Sequence, residues 1–118
     1  MSSELYNKMQ PFLGDVQELC RRLAGRMVLW EECVLLFPGA EVLEEMDRAF
    51  SSEDYEGFYA MVHRLKGNLA NFGFDSAAEK ATGTLRAIKE TDMMRAEQRY
   101  TELKKEYLQI VERIGEVK

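Results

Sequence analysis

The sequence predicts an all-α fold, an antiparallel four-helix bundle with additional N-terminal helices packing at one end, and three observations carry that prediction. The 118 residues include only two prolines, and most of the rest are strong helix formers such as Leu, Glu, Lys, Arg, Met and Ala. Apolar residues recur at spacings of three and four, the period of one helix face. The breaks between these segments are about two to four residues long, which makes successive helices antiparallel neighbours. Hydrophobic residues make up 46% and charged residues 31%, a composition that folds rather than stays disordered. The length fits one domain over 1–118, with N-terminal helices in 1–38 and the bundle in 39–118.

Each element follows from its punctuation. Phe12, Val16, Leu19, Cys20 and Leu23 mark a first helix that ends at Gly25. Met27 to Phe37 form a second, largely apolar segment, stopped by Pro38-Gly39. Residues 41–50 read as a short helix that buries Val42, Leu43, Met46, Ala49 and Phe50. Ser51-Ser52 then breaks the pattern and caps a helix over 53–72, with Glu53 and Asp54 in its first turn, where negative charge suits the dipole. Gly73 ends that helix in a left-handed conformation, with Phe74 folding back on Leu69. Ser76-x-x-Glu79 has capping-box spacing and opens a helix over 75–90 that turns Ala78, Ala81, Leu85 and Ile88 inward. Thr91 or Asp92 caps a last helix over 92–116, whose seam runs Met93, Ala96, Tyr100, Leu103, Tyr107, Ile110, Ile114 and Val117. Such a seam also fits a coiled-coil dimer; the short connections favour an intramolecular bundle and a monomer.

Several function classes are excluded on charge and hydropathy. The net charge is −5, with both signs interspersed, so neither nucleic acid nor a membrane surface is an expected partner. The longest apolar stretch, Val34 to Phe37, is far too short to span a bilayer, and no signal peptide is evident. Cys20 and Cys33 form no CxxC and read as buried, reduced thiols of a cytoplasmic protein. The Met1 start favours a free-standing chain.

His63 is the only histidine. A lone histidine is usually a core residue or an idle surface one, but here the helical geometry argues against the core. The apolar stripe is Tyr55, Phe58, Val62, Leu65, Leu69 and Phe72, and on a helical wheel His63 points roughly 135° away from its centre. Around it stand Ala60, Gly67 and Ala70, where a solvated helix face normally carries Glu, Lys or Gln. A mid-helix glycine costs about 0.8–1 kcal/mol relative to alanine, and the physical reason to tolerate it is close approach by another protein. Lys66, three residues after His63, is positioned to offset the charge of a phosphoryl group on the imidazole.

The segment Val62-His63-Arg64-Leu65-Lys66-Gly67 through Gly73 resembles the signature of histidine-containing phosphotransfer (HPt) domains, His-x-Leu-Lys-Gly with a second glycine six residues on. The helical layout extends the resemblance over most of the chain. It implies a phosphocarrier in a multistep His–Asp phosphorelay, with His63 as phosphoacceptor and Lys66 as its charge partner. Tyr59, Ala60, Arg64, Gly67, Ala70 and Asn71 would then form the docking surface. The implied partners are response-regulator receiver domains, a hybrid sensor histidine kinase, or both. No cofactor or metal is expected on this chain, the divalent cation being expected on the receiver, and the protein is expected not to be an enzyme. Two positions depart from the family's habit: Asn68 stands where serine is common, and Leu85-Arg86 where Leu-Glu is common. Asn68 is expected to project to the flank, away from His63. A sensor-kinase dimerisation domain fits less well, because Arg64-Leu65-Lys66-Gly67 follows the histidine rather than Glu and a later Pro. A non-phosphorylated helical adaptor that binds receiver or kinase domains is the alternative.

Overall fold

Three chain reversals of one design set the bundle. The computed structural model describes residues 3–118, so the expectation attached to Met1 lies outside the described residues. Its elements are α1 (Glu4–Met9), a 3-10 turn (Gln10–Phe12), α2 (Val16–Leu23), α3 (Met27–Leu35), α4 (Glu41–Ser51), α5 (Tyr55–Asn71), α6 (Asp75–Lys89) and α7 (Met93–Val117), with no strand among the described residues. The links after α4, α5 and α6 each place one left-handed residue at the centre: Glu53 at φ 61°, Gly73 at φ 90° and Thr91 at φ 53°. In each, the amide of the next residue reaches back five positions, Asp54 to Ala49 O (2.8 Å), Phe74 to Leu69 O (2.9 Å) and Asp92 to Ala87 O (2.9 Å). These Schellman ends satisfy the last carbonyls of one helix and launch the next antiparallel to it.

The sequence places some caps differently. The reversal at Glu53 uses up Ser52, so Asp54 caps α5 by accepting from the Gly57 amide at 3.0 Å, and the Ser52 hydroxyl donates back to Arg48 O at 2.8 Å. α5 therefore starts at Tyr55, with Glu56 in its first turn. The capping box at Ser76 does not form: α6 already begins at Asp75, and the Ser76 hydroxyl bonds Glu106 Oε1 at 3.0 Å. Asp92 caps α7, accepting from the Arg95 amide at 3.1 Å.

α6 is the central element. It buries Ala77, Ala78, Ala81, Thr84, Leu85, Ala87 and Ile88, and its small residues let α5 approach on one side and α7 on the other. α7 buries Ala96, Tyr100, Leu103, Tyr107, Ile110 and Ile114 within the chain, so the seam that also fitted a coiled-coil dimer is occupied intramolecularly. α4 and the link before it join α7 through polar contacts: the Tyr100 hydroxyl donates to Asp47 (2.5 Å), Lys104 bonds Asp47 (2.8 Å), and the Tyr107 hydroxyl donates to Pro38 O (2.6 Å). Burial pushes the Asp47 carboxyl up, but the hydrogen bonds from Lys104 and Tyr100 outweigh it and hold the group below the usual carboxylate range. Burial, then the bond to Asp47, drives the Tyr100 phenol far upward.

The N-terminal segment departs most from expectation. One helix through Phe12 was predicted, but Pro11 lies in the 3-10 turn and Asp15 starts α2 afresh, accepting from the Glu18 amide at 3.0 Å. Upstream, α1 is capped by Ser3 and buries Leu5 and Met9. It lies against the C-terminal end of α7, where Lys8 pairs with Glu116 at 3.1 Å and Arg113 donates to Lys8 O at 3.1 Å. α2 and α3 hold the same end of the bundle at α5, through Arg22 to Ala70 O (3.0 Å) and Trp30 Nε1 to Phe72 O (2.9 Å). Trp30, Phe37, Phe72 and Phe74 form an aromatic cluster there. Cys20 and Cys33 are free, and half-buried rather than buried. Among the described residues no helix is long and apolar enough to cross a membrane.

Candidate functional site

α5 presents its apolar stripe to the core and its histidine to solvent. Phe58, Val62, Leu65 and Leu69 are buried, with Tyr55 and Phe72 half-buried at the ends, whereas His63, Ala60 and Gly67 are exposed and Ala70 is half-buried. A Cβ built on Gly67 meets nothing within 4 Å, so no contact within the chain requires glycine there. Lys66 follows on the α6 side of the same face, half-buried.

Tyr59, one turn before His63, stacks its ring against the imidazole, with centroids 6.3 Å apart and planes 14° from parallel. The Lys89 ammonium, in the last turn of α6, stands over the Tyr59 ring at 5.6 Å from its centroid. The structure thus gathers Tyr59, Ala60, Gly67 and Ala70 around His63. It separates the other two predicted docking residues. Arg64 lies on the opposite flank, sharing a groove against α4 with Pro38, Val42, Glu45, Met61 and Asn68. Asn71 is exposed at the helix end, where its carbonyl accepts from Arg22 at 3.3 Å. Asn68 is half-buried on that same α4 flank, away from His63, and of the second departing pair Leu85 is buried and Arg86 exposed.

The charge distribution around this face is one-signed. No acidic residue occurs from Gly57 to Phe74 or from Lys80 to Lys89, in a chain of net charge −5. Six basic side chains, Lys8, Arg21, Lys80, Arg95, Arg99 and Lys104, are paired with carboxylates; Lys66 and Lys89 are among those with no such partner among the described residues. An exposed imidazole with cations beside it can accept a dianionic group and neutralise part of its charge. Among the described residues no three His, Cys, Asp or Glu side chains converge on a point that can hold a metal ion.

Lys89 was not anticipated from the sequence. Its only local signal is that of a basic residue suited to a helix C-terminus; its place beside the site comes from the antiparallel pairing of α5 with α6.

Searches of curated proteins and of solved structures returned no match. The model of the Hpt domain family matches residues 12–113, from the 3-10 turn through α2 to α6 and most of α7. Hpt domains are helical phosphocarriers, rather than enzymes, that act with receiver domains and histidine kinases in phosphorelays. With the match running over nearly its whole length, the chain belongs to the Hpt domain family.

Proposed function

We propose that this protein carries a phosphoryl group on His63, exchanging it with the aspartate of a response-regulator receiver domain or a hybrid sensor kinase. The observation that carries this reading is the exposed imidazole beside an open Gly67, with a half-buried Lys66 three residues on. The Nε2 lone pair of the neutral ring attacks the phosphorus of a phosphoaspartate; the P–O bond breaks, the N–P bond forms, and the aspartate leaves as carboxylate while Nδ1 keeps its proton. Transfer of this kind depends on positioning and charge neutralisation. Lys66 supplies one neutralising charge, and the receiver is expected to supply the divalent cation. Ala60, Gly67 and Ala70 supply the clearance for docking, with Asn71 beyond them at the helix end. On this reading residues 1–118 act as one unit in the cytoplasm, with the helices of the 1–38 segment clasping one end of the 39–118 bundle.

The test is to mix the protein with a phosphorylated receiver and follow acid-labile, base-stable phosphate. Labelling of the wild type and none of a folded His63→Gln variant is the expected result. Equal labelling of that variant would overturn the assignment.

A further inference from the structure

We propose that Tyr59 and Lys89 form a positioning pair for His63: the tyrosine ring holds the imidazole by stacking, and Lys89, held over that ring, is a second phosphoryl cation beside Lys66. The inference rests on His63 being the phosphoacceptor.

Two contacts carry it. An exposed imidazole on a helix is free to rotate about its side-chain torsions, and a ring stacked on it at 6.3 Å and 14° restrains that rotation. Tyr59 is itself held, being half-buried and packed against the core, so it is a fixed platform rather than a second mobile group. Lys89 comes from a different helix, yet its ammonium stands 5.6 Å from the centroid of this ring. It has no carboxylate partner among the described residues, although the preceding turns of α6 place Lys80 in an ion pair. A cation–π contact at an exposed site is weak, about 0.5–1 kcal/mol. A charge-assisted bond to a phosphoryl oxygen is stronger. Once His63 is loaded, the flexible lysine stem lets the ammonium leave the ring for the phosphoryl oxygens one stacking distance away. Lys66 approaches along α5 and Lys89 from α6, so the two cations meet the group from different directions.

The test loads the protein with phosphoramidate, which needs no partner: the donor's P–N bond breaks and ammonia leaves as the imidazole N–P bond forms. The chain has one histidine, so every phosphohistidine signal in 31P NMR belongs to His63. Removing a nearby cation makes the phosphoryl group hold its second proton more tightly. Lys89→Gln is expected to raise the titration midpoint of the phosphoryl resonance by about 0.5 of a pH unit, with Lys89→Arg restoring it. In the unloaded protein Tyr59→Leu is expected to move the His63 ring-proton resonances downfield, by loss of the stacked ring, while Tyr59→Phe leaves them near the wild-type position. An unmoved midpoint in Lys89→Gln, alongside a raised one in Lys66→Gln, would overturn the role of Lys89 and leave the phosphocarrier reading standing. Ring-proton resonances in Tyr59→Leu matching the wild type would overturn the role of Tyr59. Failure of the phosphocarrier reading shows separately, as equal receiver labelling of His63→Gln.

Discussion

Gly67 is a position at which stability and function pull in opposite directions. It lies mid-helix in α5, and a Cβ there meets nothing within 4 Å. Gly67→Ala therefore recovers the helix-propensity difference without a steric cost, about 0.8–1 kcal/mol. For a chain of this size that gain raises the unfolding midpoint by about 4 °C. Gly67→Gln gains most of the same stability, since glutamine is also a good helix former, but its side chain stands where a receiver must approach. Transfer from a phosphorylated receiver is expected to slow at least about tenfold, equivalent to roughly 1.4 kcal/mol of lost complementarity. The measurements are thermal unfolding by circular dichroism and single-turnover transfer on the same preparations. Gly115→Ala is the control: Gly115 is equally open but lies in the last turn of α7, so a smaller stability gain and an unchanged transfer rate are expected. A destabilised Gly67→Ala, or a Gly67→Gln that transfers at the wild-type rate, would refute the argument that glycine is kept there for access.

Four further outcomes follow from the fold. Asp47 has a depressed pKa because the bonds donated by Lys104 and Tyr100 outweigh its burial; its stabilisation is present above the ordinary aspartate range and is lost as pH falls through the lower folded value, so Asp47→Asn is expected to flatten the acid limb of a urea-unfolding pH series. Tyr100 has the opposite sign: its folded value is raised, so its contribution is full below about pH 10 and declines above it, and Tyr100→Phe is expected to weaken the alkaline limb. Thr91→Gly and Glu53→Gly each replace a side chain at positive φ and are expected to stabilise by about 0.5–1 kcal/mol in denaturant titrations. Trp30→Phe leaves the Phe72 carbonyl without its indole donor and is expected to cost about 1–3 kcal/mol by the same assay.

What was legible in the sequence was periodic. The seam of α7 and the stripe of α5 repeat over enough turns to fix which residues are buried, and the same wheel puts His63 on the outside, where it is found. Gly73 announced its turn because glycine is the ordinary left-handed residue. The turns at Glu53 and Thr91 have the same geometry, but those side chains carry no such signal, so the cap of α5 was misplaced at Ser51-Ser52; the Ser76 cap failed for another reason, a tertiary bond of its hydroxyl to Glu106. α1 is short, and its apolar spacing of Leu5 and Met9 is too brief to register. Lys89 illustrates a different limit: its contact with Tyr59 crosses two helices, and one chain's local pattern holds no record of which turn faces which. Arg64 was placed on the docking surface that the resemblance implies, yet neighbours on a helix point about 100° apart, and it faces α4 instead.

The acid-free stretches of α5 and α6 make this protein an electric dipole despite its overall negative charge. A partner with an acidic docking face is drawn to this side in preference to the carboxylate-bearing ones, which turns the His63 side toward it before any atoms touch. Salt at physiological strength confines that field to about 8 Å, so it orients a partner only on the final approach, when the wrong faces are the ones to be avoided.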